Sequence, residues 1–100
     1  MGQTYVVPTK TTTPVANTTA GLWTFANPAW AIFLRNTTTK TINIAFNGNT
    51  ASATVYDVAP LADAGMITIK AADYGLTDIT TVSVWMPTGS TVANLVIRGA

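Results

Sequence analysis

The sequence predicts an all-β domain, a small antiparallel β-sandwich or jelly-roll-like fold with an extended N-terminal arm. Three observations predict it. Short runs of β-branched and aromatic residues alternate apolar with polar at a period of two. Turn signals separate these runs about every 8–12 residues, the spacing of sandwiches and small barrels. No stretch sustains the 3.6-residue apolar period of a long helix. The 100 residues suit one domain, and neither an internal repeat nor a second domain is visible. A chain of this length can bury about two thirds of its unfolded surface, enough for a core without disulfides.

Residues 1–20, "MGQTYVVPTKTTTPVANTTA", form the arm. They are rich in threonine and hold Pro8 and Pro14, which fix φ and remove backbone donors, so the stretch reads as extended. Tyr5, Val6 and Val7 are its one sizeable apolar cluster. Such an arm needs a surface to lie on, and the domain proper is expected at 21–100. Residues 22–25 read as a short strand with Trp23 and Phe25 on one face, and Asn27–Pro28 as a turn. Residues 30–35 make the next strand, Ile32 and Leu34 facing one way and Phe33 the other.

Residues 41–46 alternate cleanly, with Ile42, Ile44 and Phe46 on one face. Asn47–Gly48 follows, the favoured pair for a type I′ turn, and predicts a hairpin with residues 51–58 as the returning strand. "APLADAG" is a loop, and residues 66–70 a strand carrying Ile67 and Ile69. "AADYGLTD" reads as one helical turn or a wide loop. Residues 80–86 put Val82, Val84 and Met86 inward and Thr81, Ser83 and Trp85 outward. After the turn "PTGS", residues 93–98 form the last strand, with Leu95 and Ile97 on one face.

Charge is scarce. Lysine, arginine and aspartate together make up 9% of the chain, against about 25% in an ordinary soluble domain. The net charge is +1, and the basic residues Lys10, Arg35, Lys40, Lys70 and Arg98 are scattered singly. Without a basic stripe, nucleic acid is not an expected partner. The apolar run at residues 29–34 falls far short of the roughly 20 residues that span a bilayer. The N-terminus carries neither a secretory pattern nor a myristoylation signal, Val6 standing where serine or threonine is needed. The chain is therefore expected to be soluble and either made in the cytoplasm or already processed.

Threonine takes the place of charge. It is β-branched, strand-forming and polar, and a hydroxyl that finds a partner is far cheaper to bury than an ionic group. Free sheet proteins usually guard their edges with charged residues. A threonine-rich, charge-poor exterior instead suits a surface that meets other protein.

The chemistry of catalysis has few carriers. Histidine, cysteine and glutamate are absent, and with them the usual nucleophile–base pairs and zinc ligands. Ser52, Ser83 and Ser90 have no base in view. Asp57 with Asp63, and Asp73 with Asp78, are the close carboxylate pairs that glycoside hydrolysis would need. Each falls in a loop, where aspartate is a common turn residue. No calcium-loop spacing and no phosphate loop is present, so no cofactor is expected. Trp23, Trp30 and Trp85 are candidates for a sugar platform or for a subunit interface, where tryptophan is enriched. Trp85 stands out because it faces away from the apolar side of its strand. Asn17 and Asn36 each begin a glycosylation sequon, as chance allows in so much threonine.

The stretches "AIFLRNTTTKTINIAFNGNT" and "ITTVSVWMPTGSTVANLVIRG" resemble small all-β virion proteins of tailed bacteriophages. The shared rhythm is an "LRNT" strand, a hairpin ending at "FNG", a middle loop with Asp and Gly, and a late "VSVW" strand closing on "RG". It covers about residues 31–100 and leaves the arm aside. The resemblance implies a decoration (cement) protein on the outer capsid, commonly trimeric, that binds the major capsid protein and joins neighbouring capsomers. A head-fibre base or a head–tail or tail accessory protein has similar texture. Tyr5, Val6, Val7, Trp23, Trp30 and Trp85 are the expected interface residues, with the arm pairing onto a neighbour's sheet edge. On this expectation, removal of residues 1–20 leaves the domain folded. A carbohydrate-binding module and a minimal two-aspartate hydrolase are the alternatives.

Overall fold

A computed structural model describes residues 6–90 and 96–100 and places seven strands among them in two antiparallel sheets. They are β1 (Thr9–Thr12), β2 (Gly21–Ala29), β3 (Ala31–Arg35), β4 (Asn43–Phe46), β5 (Met66–Lys70), β6 (Ile79–Trp85) and β7 (Val96–Gly99), with a 3₁₀ turn at Ala71–Tyr74. One sheet has the order β1-β2-β6-β4 and the other β5-β3-β7. From β2 onward each successive strand lies in the sheet opposite its predecessor. Strands adjacent in sequence therefore face each other across the core, and lateral pairing joins strands distant in sequence.

The core lies between the sheets. Trp23 and Phe25 from β2, Ile44 and Phe46 from β4, and Val82 and Val84 from β6 meet Ile32 and Leu34 from β3, Ile69 from β5 and Ile97 from β7. Ile42, Val58, Ile79 and Met86 complete it. The inward faces expected from alternation are therefore right, although Ile67 is only partly buried and Leu95 lies outside the described residues. Gly99 is set by close approach. A Cβ there would stand 2.6 Å from the Phe25 ring and 3.0 Å from the Ala29 methyl, so a bare α-carbon lets the two sheets meet at this end.

Two local expectations change. Asn27–Pro28 is not the turn; both residues lie within β2, where the register with β6 shifts between Thr24 and Ala29. Proline is tolerated at such an irregularity because no ladder bond is lost. The chain changes sheets at Trp30, whose N–H donates to the Ala100 carbonyl and whose carbonyl accepts from the Ala71 N–H.

The second change concerns residues 51–58, which form no strand among the assigned elements. Asn47 and Gly48 do adopt the positive φ values of 54° and 89° that their types allow. Beyond them, side chains compete for the backbone. Ser52 Oγ accepts from the N–H groups of Thr54 and Val55, the Ser52 carbonyl accepts from Asn43 Nδ2, and the Ala51 N–H donates to Ser83 Oγ. Local side-chain bonds of this kind displace a ladder. The start of the segment, Ala51 and Ser52, binds the outward side chains of Ser83 and Asn43, which are buried although they face away from the core, while Asp57 runs along the β4 edge and Val58 enters the core.

Residues 6–14 run along their own domain, and the chain then reverses in a tight turn at 15–19, where Val15 bridges Thr19 and Asn17 takes a φ of 59°, so the arm is not extended throughout. β1 pairs with β2 from Thr9↔Thr24 to Thr12↔Leu22, with a register shift between. Pro14 is fully buried, and the Asn17 N–H donates to the Met86 carbonyl at 2.7 Å. Val6 exchanges both backbone bonds with Gly99, at 2.9 and 2.8 Å, along the far side of β7.

Candidate functional site

The six expected interface residues do not form one patch. Tyr5 lies outside the described residues. Trp23 is a correction: it is 6% exposed and belongs to the core, because the inward face of β2 packs against the opposite sheet. Val6, Val7 and Trp30 gather at one end, since Val6 bridges Gly99 and Trp30 bonds to Ala100. Val7 is 72% and Trp30 52% exposed there. Trp85 is half-buried and sits at the other end of the β2–β6 ladder, beyond the Gly21↔Val84 pair. Trp30, rather than Trp85, is thus the tryptophan that meets solvent.

Of the candidate catalytic residues, Asp57, Ser52 and Ser83 turn their side chains to holding backbone N–H groups. Asp57 closes the far edge of β4. Its N–H donates to the Ile44 carbonyl, and its carboxylate accepts from the Phe46 N–H at 3.0 Å and from Asn49 Nδ2. Leu61 continues that edge by exchanging backbone bonds with Ile42. Asp73 lies in the first turn of the 3₁₀ segment, and the Asp78 carbonyl accepts from Asn47 Nδ2. Ser52 and Ser83 hold backbone N–H groups as described. Among the described residues no group of three or more potential metal ligands converges. No helix among them is long and apolar enough to cross a membrane.

Asn36 and Thr38 are equally engaged. Asn36 is 1% exposed. Its Nδ2 donates to the carbonyls of Lys40, Leu61 and Ala62 at 2.8–3.0 Å. Its Oδ1 accepts from the N–H and hydroxyl of Thr38. That burial removes the Asn36 sequon from the surface, whereas Asn17 is exposed.

Among the described residues, the outer face of the three-stranded sheet carries an open groove. β3 runs down the middle of the sheet. Phe33 pairs with Thr68 on β5 and with Arg98 on β7, and Arg35 pairs with Met66 and Val96. Alternation sends Ile32, Leu34, Ile69 and Ile97 inward. It sends Phe33, Arg35, Met66, Thr68, Lys70 and Arg98 outward. An open groove of about 530 Å³ runs across this face, lined by Phe33, Arg35, Met66, Ile67, Thr68 and Arg98 with the backbone of Leu34 beneath. Met66 is 76% exposed. The opposite sheet has Ala51 and Ser52 bonded to the outward Ser83 and Asn43, so the two outer faces differ in kind.

Topology also gathers charge that is scattered in the chain. Arg35, Lys70 and Arg98, three of the five basic residues, share this face. None of the described residues lining the groove is acidic. Each strand's alternation carries the signal in "AIFLR", "MITIK" and "VIRG". The pairing of β3 with both β5 and β7 is what sequence reasoning lacked.

A smaller hollow of about 260 Å³ is lined by Phe46, Asn47, Asn49, Asp57, Tyr74 and Leu76. The Tyr74 ring stands edge-on to Phe46, with centroids 5.2 Å apart. Its polar groups already serve the β4 edge and the start of β6. Comparison with known proteins finds no family model, no curated protein and no solved structure that matches this chain.

Proposed function

We propose that this chain is a non-catalytic structural protein of a virion, a capsid decoration (cement) protein. It docks on the outer capsid surface and joins neighbouring capsomers. One observation carries the reading: large apolar side chains stand in solvent on a chain with few ions to keep it apart from its neighbours. Val7, Trp30 and Met66 are each more than half exposed while charged residues make up 9% of the sequence. Such surfaces mark protein contacts. The sequence texture shared with small phage virion proteins supplies the virion setting. The partners are the major capsid protein and further copies of the chain, a trimer in the form the texture implies. Synthesis takes place in the host cytoplasm. Many weak contacts repeated over a symmetric shell add up to avid binding.

Purified shells of a virus that encodes the chain test this. The expected result is saturable co-sedimentation and shells that resist heat better when coated. Failure to bind, with the isolated chain remaining monomeric at high concentration by light scattering, overturns it. Placement at a head–tail junction, tail or fibre base uses the same docking surfaces and is distinguished by where a labelled chain appears on particles. The exposure of Trp30 favours carbohydrate binding as the second reading. A glycan array with Trp30→Ala as control decides that.

A further inference from the structure

We propose that the outer face of the three-stranded sheet is the docking groove, and that its occupant is an acidic polypeptide segment bearing apolar side chains. This rests on the docking reading above and names the chemistry of the partner's side. Charge complementarity is the first argument. Arg35 and Arg98 lie diagonally on adjacent strands, an arrangement that holds the bases of two side chains about 7–8 Å apart. Lys70 stands on the same face, four pairs along from Met66 on β5, beyond the end of the groove. No acidic side chain is among the described residues lining the groove. Two arginines rooted at this spacing can reach carboxylates on alternate residues of an extended chain, whose side chains also repeat at about 7 Å.

The second argument is the apolar surface beside the cations. Met66, 76% exposed, and the methyl of Thr68 offer apolar surface that a purely ionic ligand would leave in water. A segment mixing carboxylates with apolar groups covers both kinds of surface. A nucleic acid strand fits less well. Lys10 belongs to the other sheet and Lys40 to the loop after β3, so three cations serve this face and would displace few counterions.

The test uses the full chain, isotope-labelled, in an amide-shift titration. The probes are a random copolymer of glutamate and tyrosine, polylysine and oligo(dT). The copolymer should shift amides of β3, β5 and β7 at the groove, and binding should weaken as salt rises. R35E/R98E should weaken it about tenfold or more. R35Q/R98Q, which keeps the side-chain volume, should fall between, and both variants should keep the wild-type circular dichroism. Polylysine should leave the groove amides unmoved. Shifts confined to the Trp30 end, binding unchanged in R35E/R98E, or tighter binding of oligo(dT) than of the copolymer would each overturn the inference. Shells that bind R35E/R98E as well as the wild-type chain would also overturn it while leaving the docking function standing.

Discussion

Asn36→Ala should be among the most damaging polar substitutions in this protein. The side chain makes five hydrogen bonds: three donated by Nδ2 to the carbonyls of Lys40, Leu61 and Ala62, and two accepted by Oδ1 from Thr38. Truncation strips partners from groups around a residue that is 1% exposed. A net hydrogen bond contributes about 1 kcal/mol, and a buried group left bare costs about 1–3 kcal/mol. Two amide hydrogens serve three carbonyls here, and water can follow the truncated side chain, so the loss should be about 3 kcal/mol. For a domain of this size that lowers Tm by about 12–24 °C. Asn36→Asp should cost more at neutral pH, because it keeps the acceptor for Thr38 but turns a carboxylate oxygen toward three carbonyls. Thr38→Val loses the hydroxyl bonds to Asn36 and to the Lys40 carbonyl and should cost about 1–2 kcal/mol. Urea melts with an unchanged m-value give the numbers, and the double variant gives the coupling. A loss below about 1 kcal/mol for Asn36→Ala would refute the idea that this amide ties the loop after β3 to the loop before β5.

Four further outcomes follow from the packing and the edges. Gly99→Ala should destabilise by about 1–3 kcal/mol, because its new methyl meets Phe25, and Phe25→Leu should recover part of that in a urea melt. Asp57→Ala should cost about 1–2 kcal/mol and, by exposing the β4 edge, promote concentration-dependent association seen in light scattering. Deletion of residues 1–20 should lower the urea midpoint markedly, since it removes β1, the buried Pro14 and the Val6 bonds to Gly99; an unchanged midpoint would restore the independent-arm expectation. Acrylamide should quench Trp30 readily and Trp23 hardly at all, so Trp30→Phe should remove most of the quenchable emission.

Alternation made the inward residues of β3, β4, β5 and β6 legible, because one face of each strand is buried and the side-chain period is two. Asn47–Gly48 was legible as a turn, and "AADY" as a helical turn. The hairpin after Gly48 was not, because Ser52 and Ser83 draw the backbone into local bonds and because the next strand belongs to the other sheet. Trp23 was misplaced for a related reason. A tryptophan on an alternating strand reads alike whether it faces a partner or a core. The groove is not legible in the sequence because Arg35, Lys70 and Arg98 come to share one face only through β3–β5 and β3–β7 pairing, which no local pattern reports.

The polar ties of this fold are mostly amides and hydroxyls: Asn36 with Thr38, Asn43 with Ser52, Asn47 with Thr80, Ser83 with Ala51. None of these groups gains or loses a proton across the range where proteins survive, and dissolved ions do not weaken them as they weaken paired charges. The scaffold can therefore pass between fresh water, brine and mild acid with these bonds unaltered. The charged groups are what respond: the Asp57 carboxylate that holds the Phe46 N–H, and the arginines of the groove.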